Sequence, residues 1–210
     1  FTVPAILQGL DVEHAALHRD WKLFWPLDHS FFEPYRLDAL RAGGAIGRFY
    51  LISGVVLFAV VAPVATYWWG KRWYCSWICG CGGLAETTGD AFRTLSSSTP
   101  RSWKRERWLI YPILGWISVA TLAVVGAYIA GVDAIGPLSV YHVFTRPYGF
   151  VVGALFSGVI GVGFYPLLGN RVWCRFGCPL AAYMGIIQRV KSRFRVSTQA
   201  GGCISCGACT

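Results

Sequence analysis

Three stretches of this chain are each long and apolar enough to cross a hydrocarbon layer about 30 Å thick, and this limits the available folds more than any other feature. They run from Phe49 to Gly70, from Trp108 to about Ala134, and from Phe150 to Gly169. Each carries one proline (Pro63, Pro112, Pro166), which membrane helices tolerate when neighbouring groups satisfy the freed backbone. Any one run alone could be a buried core helix. Three in 210 residues, with only 14% charged residues against about a quarter in soluble domains, point to a bilayer. The expected fold is an all-α membrane protein with at least three transmembrane helices, bounded by membrane lipid.

Charge placement orients the spans. Lys71, Arg72, Arg93, Arg101, Lys104, Arg105 and Arg107 lie between the first two, and Arg171, Arg175, Arg189, Lys191, Arg193 and Arg195 follow the third. Only Arg146 lies between the second and third. The positive-inside rule therefore expects residues 71–107 and 171–210 in the cytoplasm of a bacterial-type inner membrane. Residues 1–48 and 135–149 are expected on the other side. The net charge of +9 is spent on these flanks, so no basic domain for nucleic acid is read. The chain opens on Phe1 without a secretory signal pattern and closes inside a cysteine motif at Thr210. Both ends therefore read as cut from a longer protein, with room for an earlier span.

A repeat links the spans to chemistry. GKRWYCSWIC starts at Gly70 and GNRVWCRFGC at Gly169, each where an apolar stretch ends. Gly, Arg and two Cys coincide, giving the pairs Cys75/Cys79 and Cys174/Cys178. A C-x3-C spacing on a helix sets two thiols about one turn apart on one face. Two pairs joined by a hairpin of spans offer four thiolates, enough for a four-cysteine cluster or a tetrahedral metal. Packing as small apolar residues is the bland reading of a single pair. Cys81 adds a thiol two positions past Cys79 and reads as a spare ligand, a redox-sensitive thiol or nothing.

The end of the chain, GGCISCGACT, places Cys203, Cys206 and Cys209 as the opening of a ferredoxin run C-x2-C-x2-C-x3-C-P. Three ligands of a 4Fe-4S cluster are read there, with a zinc knuckle as the alternative. The expected organisation is an extracytoplasmic segment 1–48, a transmembrane domain 49–196 holding the two C-x3-C motifs, and the start of a 4Fe-4S ferredoxin module at 197–210. Thiols on a cytoplasmic face stay reduced, so disulfides are a poor account of them. Pro179 to Val196 reads as an amphipathic helix in the interface or a solvent-exposed connector.

These motifs resemble the polytopic membrane ferredoxins with C-x3-C-P motifs, the group of NapH-type, NosR-type and CcoG-type proteins. The resemblance covers most of residues 45–210, and a WPLD stretch at Trp25 to Asp28 is similar to the CcoG type. RVWCRFGCP matches fully through Pro179, whereas the first motif has Gly80 where proline is expected. The resemblance implies electron transfer between quinol or a flavin-bearing reductant and partner redox proteins, through 4Fe-4S clusters, with flavin or haem only on partners. The competing functions are copper reduction or delivery during oxidase assembly, and a zinc-stapled scaffold without redox activity.

His14 and His18 are four apart and share the expected outer side with His29 and His142, yet a surface helix accounts for the first two better than a haem or copper site. No phosphate-binding glycine loop or nucleotide fingerprint is present. The spans carry no charge before Asp133, which argues against a proton path and a pump.

Overall fold

The computed structural model describes residues 24–42, 44–96, 99–131, 134–135, 138–190 and 192–193. Among these residues, three helical runs are long and apolar enough to cross a membrane: Gly47–Trp69, Lys104–Ala130 and Val143–Gly163. The first comprises α2 (Gly44–Val56), a π-helical turn (Leu57–Val61) and α3 (Ala62–Trp69). The second lies within α6 (Pro100–Ala130). The third joins α7 (Val140–Tyr148) to a π-helical stretch, Gly149–Gly163. Shorter helices fill the connections: α1 (Pro34–Ala42), α4 (Trp73–Trp77), α5 (Gly80–Glu86), α8 (Tyr165–Leu168) and α9 (Pro179–Val190).

The boundaries differ from the apolar stretches for identifiable reasons. Thr99 accepts a hydrogen bond from the Ser102 N–H at 3.3 Å, and Pro100 occupies the first helical position. This N-terminal stop signal starts α6 two turns before Trp108. Gly131, left-handed at φ 67°, ends it. The third span begins earlier than Phe150 because α7 runs into it without a break. It ends at Phe164, where the backbone leaves helical geometry and Pro166 opens α8.

The π-helical turn in the first span follows from Pro63. The Ala62 N–H bonds the Leu57 carbonyl, five residues back. In that register the Phe58 carbonyl would be served by residue 63, and proline has no N–H to give. The Tyr183 hydroxyl donates to that carbonyl at 3.0 Å, so a side chain from α9 satisfies a backbone group midway along a span.

Phe58 is packed from two sides. The Tyr183 ring lies 4.7 Å away and the Trp25 ring meets it edge-on at 4.6 Å. Trp25 Nε1 donates to Thr121 Oγ1 at 2.8 Å. The segment around Trp25, read from sequence as part of the outer domain, thus reaches between the first and second spans. Phe24 packs edge-on against Tyr74 at 5.3 Å. Non-helical backbone packed away from solvent requires internal partners. Here Leu27 N–H and Asp28 N–H bond the Phe24 carbonyl, Asp28 accepts from Ser30, and Arg36 pairs with Asp28 at 2.6 Å. Beyond it, Phe31 stacks on Tyr50. Tyr128 at the end of α6 donates to Asp38 at 2.7 Å and accepts from Arg41.

α9 is embedded, unlike the surface helix expected: Pro179, Leu180, Ala182 and Met184 are buried, and the helix packs on α6 and α3.

Candidate iron–sulfur site

The two cysteine motifs share their main hydrogen bonds, although Trp73–Trp77 is α-helical and Trp173–Gly177 is π-helical. Gly70 and Gly169 end α3 and α8 at φ 80° and 82°, a region open to glycine, with their N–H groups bonded four residues back to Thr66 and Tyr165. Ser76 N–H bonds the Arg72 carbonyl as Arg175 N–H bonds that of Arg171, both at 3.0 Å. Cys79 N–H bonds the Tyr74 carbonyl as Cys178 N–H bonds that of Trp173, both at 2.9 Å. Each second cysteine is extended (ψ 125° and 113°) and leads into a helix, α5 or α9. Gly80 in place of proline therefore leaves the path of the first motif unchanged. One asymmetry is Arg171, left-handed at φ 61°, which forms an ion pair with Glu86 on α5.

Both motifs turn inward. Tyr74 and Trp173, the residues before Cys75 and Cys174, are buried, and Cys178 is buried with them. Cys75, Cys79, Cys81 and Cys174 pack against this same core. Two glycines make the approach close. A Cβ on Gly82 would overlap the Cys75 carbonyl, and one on Gly177 would stand 2.6 Å from the Trp173 ring. Second-motif residues also lock onto the first half of the chain. The Asn170 amide donates to the Ala85 carbonyl at 3.4 Å. Arg175 bonds Ser96 at 2.7 Å and pairs with Glu106 on α6 at 3.3 Å.

The structure thus brings together Cys75, Cys79, Cys174 and Cys178, and Cys81 joins them. The Cys174 thiol is hydrogen-bonded to Cys75. That bond, aided by Arg171 and Arg72, holds Cys75 below the usual thiol range against its burial. The same bond and burial push Cys174 up. Burial raises Cys178, and a hydrogen bond with Cys79 raises Cys81. Beside the thiols lies a cavity of about 60 Å³, lined by Lys71, Arg72, Arg171, Arg175 and Glu106 with Cys75 and Cys174. Burial and the neighbouring Arg171 lower Arg72, so the pocket concentrates cations that disfavour one another. An anionic group bonded to the thiols would relieve that repulsion. A four-thiolate iron–sulfur cluster carries negative charge, and soft thiolates are its ligands. The donor set and its charged lining therefore fit such a cluster. Among the described residues no three His, Cys, Asp or Glu converge tightly enough for a single metal ion.

Other sequence-predicted residues lie elsewhere. Cys203, Cys206 and Cys209, with the module at 197–210, fall outside the described residues, as do His14, His18 and the side chain of His142. His29 leans on Tyr148 with ring centres 5.7 Å apart. Met184, the one methionine, is fully buried. Cys81, read from the sequence as a spare ligand, a redox-sensitive thiol or nothing, packs against the same core as the other four. The signal for it was the repeat itself, which aligns Cys81 with Leu180, 1% exposed in the core.

Comparison with known proteins agrees with this geometry. The 4Fe-4S binding domain family matches twice, over residues 52–98 and 149–197, one copy around each motif. YccM of Escherichia coli (strain K12), a protein named for electron transport, is 28% identical over 176 residues, covering 78% of this chain and 47% of its own length. The methylamine utilization ferredoxin-type protein MauN of Methylorubrum extorquens is 26% identical over 190 residues, 88% of this chain and 59% of its own. The chain thus spans about half the length of these curated relatives. No solved structure matches. With a 4Fe-4S binding domain matched around each cysteine motif and three membrane-length helices among the described residues, the chain is similar to proteins named for electron transport and as ferredoxin-type.

Proposed function

We propose that Cys75, Cys79, Cys174 and Cys178 hold one 4Fe-4S cluster at the interface of the two repeats, and that the chain passes electrons through it. The observation that carries this reading is the convergence of thiols from both motifs beside Lys71, Arg72, Arg171 and Arg175. A zinc ion on the same four thiolates is the competing reading, and analysis of iron and acid-labile sulfide separates the two. Cys203, Cys206 and Cys209 are read as ligands of a second cluster, from their spacing alone.

The donor is a quinol dissolved in the bilayer, and the acceptor is a partner redox protein on the cytoplasmic side. Three spans put the site within reach of a lipid-soluble reductant, and the basic loops at 71–107 and 171–195 favour the cytoplasm for both motifs. The cluster supplies the one-electron chemistry. The protein's residues bind it, exclude water from Cys178 and set its potential through the surrounding charges.

The test is reduction of the purified chain in liposomes by a lipid-soluble quinol, followed by bleaching of the visible absorbance of the oxidised cluster. Bleaching at a rate proportional to quinol supports the quinol reading. A cluster reduced by dithionite yet untouched by quinol removes quinol as donor and leaves electron carriage by another route.

A further inference from the structure

The first motif contains one thiol more than a four-cornered cluster needs, and its position is not incidental. With the repeats aligned, Cys81 corresponds to Leu180, whose side chain is 1% exposed in the core shared with Cys178. The local frames match: Cys79 and Cys178 are both extended, and Gly83 N–H and Ala182 N–H bond the carbonyls of these cysteines at 3.0 and 3.2 Å. Position 81 therefore faces the site by the same geometry that buries Leu180. Its thiol is hydrogen-bonded to Cys79, and the residue packs against the same core as Cys178, Cys75 and Cys174, from both motifs. The residue between Cys79 and Cys81 is glycine, whereas proline follows Cys178. Proline would fix φ there, while glycine leaves the backbone free to rotate.

We propose that Cys81 is an alternative ligand, able to replace Cys79 at one corner of the cluster; this rests on the reading of the two motifs as one cluster site. The exchange is thiolate for thiolate. Cys81 releases its proton as its sulfur bonds iron, Cys79 gains one as it leaves, and no electron moves. The second motif has no such reserve, because Leu180 cannot coordinate.

The test uses the full chain with Cys203, Cys206 and Cys209 changed to Ser, so that iron reports only on the membrane motifs. Iron and acid-labile sulfide are measured after anaerobic purification, with elution profile as the check on folding. The Cys79→Ala variant is expected to retain the greater part of its iron, with altered g values in the dithionite-reduced EPR spectrum. Cys178→Ala and the Cys79→Ala/Cys81→Ala double variant are expected to lose it by at least about tenfold. The rigid Cys79→Ala/Gly80→Pro variant should lose iron as well, while Gly80→Pro alone keeps it. Loss of iron from Cys79→Ala equal to that from Cys178→Ala overturns the proposal. A parent chain without iron overturns instead the cluster reading beneath it.

Discussion

Tyr183→Phe removes one oxygen atom and should expose what Pro63 does to the first span. The hydroxyl is the donor to the Phe58 carbonyl. The Ala62 N–H is committed to Leu57, and Pro63 has none. Without the hydroxyl, a carbonyl midway along a membrane helix is left without its donor. An unsatisfied buried group costs about 1–3 kcal/mol in a protein interior, while hydrogen bonds between membrane helices measure ~0.6 kcal/mol on average with a maximum of ~1.7. The carbonyl cannot find a partner within its own helix, so the upper part of the membrane range applies, about 1–1.5 kcal/mol. The ring packing at 4.7 Å is retained in this variant, which isolates the hydrogen bond. The decisive comparison is a double-mutant cycle with Pro63→Ala. Alanine restores an N–H at residue 63, so Tyr183→Phe should then cost little, leaving a coupling of about 1 kcal/mol. Unfolding in mixed micelles titrated with a denaturing detergent, followed by tryptophan fluorescence, measures all four corners. Equal cost of Tyr183→Phe in both backgrounds would refute the assignment of the orphaned carbonyl to Pro63.

Three other outcomes follow from the site and its supports. Gly82→Ala forces a Cβ into the Cys75 carbonyl and should reduce iron per chain more than Gly83→Ala, whose neighbour space is open. Arg72→Gln removes a cation from the lining of the thiol cavity, so the reduced, more negative cluster loses support and the midpoint potential should fall in a dye-mediated redox titration. Trp25→Phe deletes the donor to Thr121 and should destabilise the chain by about 0.5–1.5 kcal/mol. Thr121→Val combined with it should add less than its separate cost in the same detergent titration.

The spans and the repeat were legible because both are written in local pattern: long runs without charge, and Gly, Arg, Cys and Cys at matching positions after them. Those positions recur as matching hydrogen bonds at Gly70 and Gly169 and at Cys79 and Cys178. The packing of segment 24–32 against the spans was not legible. The segment is short, holds Asp28 and His29, and has no periodicity. Its position depends on distant partners, Thr121 for Trp25 and Tyr74 for Phe24. The burial of α9 was missed for a related reason. Its basic residues suggested a surface helix, but its first turns are apolar and Tyr183 has a carbonyl to reach. The inward face of Cys81 was readable from the repeat, where it aligns with Leu180. It lies outside the C-x3-C pattern, so spacing alone left its role open.

The most direct test of the central claim is the iron content of the membrane motifs alone. The chain with Cys203, Cys206 and Cys209 changed to Ser would be purified without oxygen, assayed for iron and acid-labile sulfide, and examined by EPR after dithionite reduction. The account predicts about four irons and about four sulfides per chain with a reduced-cubane signal, both abolished by adding Cys174→Ala. Zinc in place of iron, or iron that survives Cys174→Ala unchanged, would contradict it.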